Sequence, residues 1–275
     1  MQDTLTPPTE AAVARPTRPE RRWSPAVVAW PVLGIVVTVV AWWAVVEIFD
    51  IQPIILPSPV DVYEGFRTYP DLLLQTTWDT VRVTLIGFGL SVIIGVALGT
   101  AIAAWKPFER AFGPLLVALN AVPKVAIAPL MIAWFGFGTK PVLAMAFLLC
   151  FFPIVLSTAT GLASTPADLA ELARSLSATR TQTFLRVRVP AALPQIFVGL
   201  KLAMPLAVIG VAVGEMQSGG VDEGLGTIIV QTAGQGDTAT AFAALTLMAI
   251  VSIILYYILV LIERLALPWV RGTTA

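Results

Sequence analysis

Residues 168–194 read DLAELARSLSATRTQTFLRVRVPAALP, a charged stretch of helical pattern set between two apolar runs long enough to cross a bilayer. Glu171, Arg174, Arg180, Arg186 and Arg188 lie within it, and Pro190 and Pro194 are expected to close it off before the next apolar run. The flanking runs want lipid; this piece wants a protein partner.

The rest of the chain sets the class in which that segment must be read. With 57% apolar and 12% charged residues the chain lies far outside the range of soluble domains, so it reads as an integral membrane protein. A formal net charge of zero gives no basic excess that would point to nucleic acid. There is no histidine, and the single cysteine, Cys150, falls in an apolar run, which excludes an intrachain disulfide and leaves a structural thiol.

Runs of about 20 apolar residues predict six spans, near 27–48, 82–104, 113–135, 141–163, 194–216 and 241–265. The expected fold class is an all-α integral membrane protein with about six transmembrane helices. Residues 1–25, rich in Pro, Thr, Ala and Arg, read as a disordered cytoplasmic tail, 26–268 as one transmembrane domain, and 269–275 as a cytoplasmic C-terminal tail. The first span follows Arg21 and Arg22 but is too long for a signal peptide and lacks a small-residue cleavage site, so it is a retained anchor.

Basic residues near span ends stay on the cytoplasmic side. With the amino terminus inside, Arg15, Arg18, Arg21, Arg22, Lys106, Arg110, Arg174, Arg180, Arg186, Arg188, Arg264 and Arg271 all fall inside, and Arg67, Arg82 and Lys140 fall outside. The outer loops collect acids instead, among them Asp50, Asp61, Glu64, Asp71, Asp79, Asp222, Glu223 and Asp237. Both termini and the segment 164–193 are then cytoplasmic.

Within that segment Thr165 and Pro166 predict a helix start, with Asp168 and Glu171 in the first turns where the helix dipole favours negative charge. Thr179 is a candidate cap for a second helix over 180–188, on which Phe184 and Val187 share a face. Two short amphipathic helices joined near Ser177 suit docking in a partner's groove. A solvated loop with ordinary inside-positive charge fits the same composition.

The order of residues separates these readings. Glu171-Leu172-Ala173, then Ser177, then Val187-Arg188-Val189-Pro190 resembles the Glu-Ala-Ala, Gly, Ile-x-Leu-Pro signature in the cytoplasmic loop of ABC importer permeases. The departures are Leu172 for the central Ala and Ser177 for the Gly, the second of which predicts a turn without positive φ. Three further pieces, LPSPVDV (56–62), VPKVAIAPLMIAWFGFG (122–138) and GEMQSGGVDEGLGTII (214–229), resemble in order the nitrate, sulfonate, taurine and bicarbonate branch, which includes permeases for pyrimidine precursors and aromatic acids. The resemblance spans residues 54–268 and implies a type I ABC importer permease fold. It also implies a bacterial plasma-membrane location.

By that resemblance the segment forms coupling helices that seat in a cytoplasmic ATPase. Glu171 and Arg174 would make charge pairs there, Leu172, Ala173 and Phe184 would supply buried area, and Ser177 and Pro190 would shape the turn and its end. The implied partners are two ATP-binding ATPase subunits, a second permease copy making a homodimer, an extracytoplasmic solute-binding protein, and the lipid bilayer. The chain itself has no G-x-x-x-x-G-K-[ST] loop, and GFGTKP at 136–141 has the wrong spacing, so no cofactor is expected here and ATP and Mg are left to the ATPase.

Ionisable residues inside spans are functional candidates by default. Lys124, between Pro123 and Pro129, is a candidate countercharge for an anionic substrate in the translocation pathway, and Asn120, one turn earlier, extends the same polar stripe. Glu215 is a candidate gate or subunit-interface residue. The alternatives are that Lys124 and Glu215 neutralise each other, or that Lys124 snorkels. Gly95 with Gly99 and Gly210 with Gly214 predict close helix contacts, and 219–230 predicts a helix too short to span, near the outer gate. Trp23, Trp30, Trp105, Trp134 and Trp269 read as interface-belt residues.

A membrane-embedded enzyme fits poorly, because histidine and the H-E-x-x-H and G-x-S-x-G motifs are missing from the sequence. An ion-coupled secondary transporter would need several intramembrane acids, and Glu215 alone supports it thinly.

Overall fold

The computed structural model describes residues 26–164, 167–218 and 224–272, and among these the regular structure is helical throughout. Helix α1 (Ala26–Ile48) is followed by the short amphipathic α2 (Pro59–Thr68), and then by α3 (Pro70–Ala104), α4 (Lys106–Ala121), α5 (Ala128–Phe135) and α6 (Thr139–Ala163). Two short helices, α7 (Ala167–Ser175) and α8 (Arg180–Thr183), lead through a wide turn over Phe184–Arg188 into α9 (Val189–Gln217). The short α10 (Leu225–Gly234) and the long α11 (Thr238–Ala266) complete the order.

Five of these helices are long and apolar enough to cross a membrane unaided. The sixth expected span is broken. α4 and α5 are joined by a tight 3-10 turn over Lys124–Ile127 and meet at 80°. Pro123 and Pro129 bracket that turn, and each withholds the N–H that a continuous helix would need.

α3 departs most from its expected limits, starting at Pro70 rather than near residue 82. Its first four turns carry Asp71, Gln75, Asp79 and Arg82, which interrupt the apolar run. They are helical because Pro70 presets the first turn and because Thr76, Thr80 and Thr84 line a buried face. At 1.5 Å per residue α3 is about 50 Å long, well beyond the roughly 30 Å hydrocarbon core. α2 is fixed by Ser58, whose hydroxyl accepts the Asp61 N–H at 3.2 Å while the Asp61 carboxylate accepts the Ser58 N–H at 2.7 Å.

The core is a three-helix layer with α6 in the middle, α3 on one side and α9 on the other. The glycine pairs read from the sequence mark both seams. A Cβ at Gly99 would lie 2.7 Å from the Val155 carbonyl oxygen, and one at Gly214 would lie 2.7 Å from the Val142 Cα. Backbones approach this closely only where one partner has no side chain. α11 packs against α9, α10 and α2, with Ala243, Ala244 and Leu255 buried there. α1 is peripheral: nearly all of its apolar side chains are exposed whereas half of α6 is buried, and Trp42 touches Phe242 of α11 with ring centroids 6.2 Å apart.

Candidate functional site

The charged segment folds as an elbow between α6 and α9. Residues 165 and 166, and with them the expected helix start, lie outside the described residues; α7 carries Asp168 in its first turn. α7 closes with the Ala178 N–H donating to the Ala173 carbonyl at 3.0 Å while Ser177 holds φ +54°. This is the Schellman arrangement, and it overturns the expectation that serine here signals a turn without positive φ. The bond back to Ala173 requires a left-handed residue at 177, and serine accepts it at a cost of about 1–2 kcal/mol.

α8 begins with a reciprocal cap. The Thr179 hydroxyl accepts the Gln182 N–H at 3.2 Å, and Gln182 Oε1 accepts the Thr179 N–H at 2.9 Å. The chain then widens into a π turn, with the Val189 N–H donating to the Phe184 carbonyl, and passes without a stop into α9. Pro190 and Pro194 therefore do not close the segment, contrary to expectation. Pro190 falls in the first turn of α9, beside a π turn that already departs from the i to i−4 ladder, and Pro194 lies inside the helix.

The elbow's surfaces differ from those expected. Ala173 is only 4% exposed, so its area is spent inside this chain, and Phe184 is half-buried against the main core. The exposed large apolar groups described there are Leu169 (41%), Leu176 (72%) and Leu185 (59%), with Glu171, Arg180 and Arg186 exposed near them in sequence. Leu185 departs from the face expected of a regular helix over 180–188, because the π turn over Phe184–Arg188 rotates it, and Leu176 lies in the turn before that helix. The side chains of Leu172 and Arg174 lie outside the described residues.

At the break between α4 and α5 the Lys124 ammonium donates to the Asn120 carbonyl oxygen at 3.0 Å and to Asn120 Oδ1 at 2.9 Å. It also lies 5.0 Å from the centroid of the Phe152 ring of α6. Among the described residues no carboxylate comes within ion-pair distance of it. Lys124 and Asn120 thus share one place, beside a recess lined by Leu116, Phe152 and Leu156.

Glu215 has different partners and does not neutralise Lys124. It is 3% exposed; its Oε1 accepts the Thr80 hydroxyl of α3 at 2.9 Å, and its Oε2 accepts the Gly226 N–H of α10 at 2.8 Å. Thr80 in turn accepts the Leu225 N–H at 3.0 Å. A carboxylate placed on the first N–H groups of α10 is favoured by both hydrogen bonding and the helix dipole. A Cβ on Gly226 would come 2.8 Å from the Glu215 Cβ, so the glycine makes room for the carboxylate. Glu215 is the clamp that binds α3, α9 and α10 together.

Among the described residues a charge pair joins α9 to α11. The Lys201 ammonium donates to both carboxylate oxygens of Glu263, at 2.8 and 3.0 Å. The rule that picked out Lys124 also applies to Lys201, an ammonium midway along an apolar run. Its partner, 62 residues away, is set by the fold.

The structure is thus a bundle of helices long and apolar enough to cross a membrane, with a capped elbow between two of them and a cation at a helix break. The chain belongs to the family described as binding-protein-dependent transport system inner membrane component, whose profile matches residues 91–272. It is an ABC importer permease, a multi-pass membrane component of an assembly that includes an ATPase and a binding protein. It is 38% identical over 264 residues to the riboflavin transport system permease protein RibX of Chloroflexus aurantiacus, covering 92% of this chain and 98% of that one. Against the formylaminopyrimidine transport permease protein ThiX of Halalkalibacterium halodurans it is 36% identical over 219 residues, covering 79% and 87%. Its fold is shared with the inward-facing MetNI methionine ABC transporter, at TM-score 0.58 and 20% identity over 74% of this chain and 97% of that one.

Proposed function

We propose that this permease takes a small anionic or nitrogen-heteroaromatic solute from its binding protein and releases it to the cytoplasm by alternating access, driven by ATP hydrolysis in its partners. The observation that carries the reading is the elbow, in which α7, with Glu171 exposed, and Leu176 just after it turn at Ser177 into a capped segment that carries Leu185 and runs unbroken into α9. Two copies of the chain would pair as a homodimer over two ATPase subunits. Closure of the ATPases around ATP and Mg would draw the two elbows together and tilt the packed α6–α9 layer. The chain hydrolyses nothing itself, and both its termini lie in the cytoplasm of a bacterium.

The solute class is supported from two sides. RibX and ThiX are named for riboflavin and formylaminopyrimidine transport, both nitrogen heterocycles. The Lys124 ammonium, held by Asn120 against the Phe152 ring, offers charge and an aromatic face to a planar solute rich in carbonyl groups. Glu215 acts beside this path as the fastening of α10.

The test is reconstitution in proteoliposomes with the cognate ATPase and binding protein. Glu171→Lys is expected to insert normally, abolish ATP-driven uptake, and remove the stimulation of ATP hydrolysis by loaded binding protein. Undiminished uptake by that variant overturns the coupling role. Uptake driven by an ion gradient without the ATPase overturns the importer reading in favour of a secondary transporter.

A further inference from the structure

Between the elbow and the end of α3 lies a cleft of about 620 Å3 that the transport mechanism does not use. Ala104, the last residue of α3, forms one wall, and Arg180, Thr181, Thr183 and Arg188 contribute polar groups from the other. Among the described residues no carboxylate lines it, and neither guanidinium has a hydrogen bond or an ion pair.

The electrostatics favour an anion. The last carbonyls of α3 carry roughly half a negative charge, which helps to hold arginines nearby, but two full positive charges face it and leave the cleft net positive. Guanidinium groups are forks suited to paired oxygen acceptors, and the threonine hydroxyls add single donors, a combination that matches a phosphate. Carboxylate ligands would satisfy one fork but leave the hydroxyls idle.

The surroundings indicate where the phosphate comes from. Trp105, directly after α3, is 62% exposed and stacks on Phe108 with ring centroids 6.1 Å apart and 12° between planes. Exposed tryptophan at the end of a span marks the depth of lipid headgroups. A basic cleft at that depth, between a span end and a cytoplasmic elbow, is open to the headgroup of a neighbouring lipid.

We propose that this cleft binds the phosphate-bearing headgroup of an anionic phospholipid and thereby staples the elbow to the end of α3. Occupancy would hold the elbow in one position relative to the bundle, so the lipid composition of the membrane would set how readily ATPase motion reaches α9. The binding itself does not depend on the coupling role; only this consequence does.

The experiment is native mass spectrometry of the detergent-solubilised full chain titrated with dioleoylphosphatidylglycerol, dioleoylphosphatidylcholine or inorganic phosphate. The wild-type chain is expected to retain phosphatidylglycerol and not phosphatidylcholine. The double variant Arg180→Gln with Arg188→Gln should lower phosphatidylglycerol occupancy by more than about tenfold, since each lost charge-assisted contact is worth close to a decade. Arg180→Lys with Arg188→Lys, which keeps the charge, should retain most of it, and Arg67→Gln, an exposed arginine of α2, should retain all of it. Unchanged retention in the double Gln variant, or equal retention of phosphatidylcholine, overturns the site. Displacement of the lipid by millimolar inorganic phosphate overturns the lipid assignment in favour of a free anion. Because no ATPase is present, failure here is distinguishable from failure of the transport reading.

Discussion

Replacing Thr80 with valine removes one hydroxyl and leaves the shape of a fully buried side chain almost unchanged. That hydroxyl makes two bonds at once, donating to Glu215 Oε1 at 2.9 Å and accepting the Leu225 N–H at 3.0 Å. Losing a hydrogen bond to a charged acceptor costs about 1.5–3 kcal/mol, and stranding a buried N–H costs about 1–3 kcal/mol. The added methyl returns at most about 0.8 kcal/mol, so Thr80→Val should destabilise the protein by about 3 kcal/mol. Thr80→Ser keeps both bonds and should cost less than about 1.5 kcal/mol, the lost methyl and a small cavity. The measurement is reversible unfolding in mixed micelles titrated with SDS, with helicity as the signal. A Thr80→Val chain within about 0.5 kcal/mol of wild type would show that Glu215 does not depend on Thr80, and the clamp would lose its energetic basis.

Three further outcomes are expected. Ser177→Gly should stabilise the elbow by up to about 1 kcal/mol, because glycine adopts positive φ without the Cβ penalty, and Ser177→Val should destabilise it; the same unfolding titration reads both. Lys201→Met should cost roughly 1–3 kcal/mol by leaving Glu263 without its cation, a figure reduced from that of a fully buried pair because both side chains are about one-fifth exposed, and adding Glu263→Gln should recover part of the loss in a double-mutant cycle. Gly214→Leu should abolish stable packing of α9 on α6, since even a Cβ would lie 2.7 Å from the Val142 Cα, and the variant should aggregate on size-exclusion chromatography.

The sequence made the apolar spans legible because burial in lipid needs only a long run without charges, and α6, α9 and α11 follow such runs closely. It hid the start of α3, since Asp71, Asp79 and Arg82 break the run on a face that points away from the buried threonines. Glycine spacing marks both seams of the layer, because a close helix approach needs a residue without a side chain whichever helix is the partner. The elbow was recognisable by the order of its residues, yet its geometry was not: Ser177 in a left-handed turn and Pro190 beside a π turn both depart from what those residue types favour alone. Glu215 stood out as an acid in an apolar run, but its role depends on Thr80, 135 positions away, and a mid-helix threonine gives no sign of a distant partner. Thr76 and Thr84, on the same face, return their hydroxyls to their own helix, at Leu72 and Thr80.

Because the π turn lets the elbow run on into α9, residues 180–217 form a single 38-residue helix. At 1.5 Å per residue that is a rod about 57 Å long. A tilt of roughly 5° about one end of such a rod sweeps the other through about 5 Å, a length close to one helical turn. Leu185 rides near one end and Glu215 near the other. A small angular displacement where the partner grips would therefore arrive, magnified along one continuous helix, at the carboxylate that fastens α10.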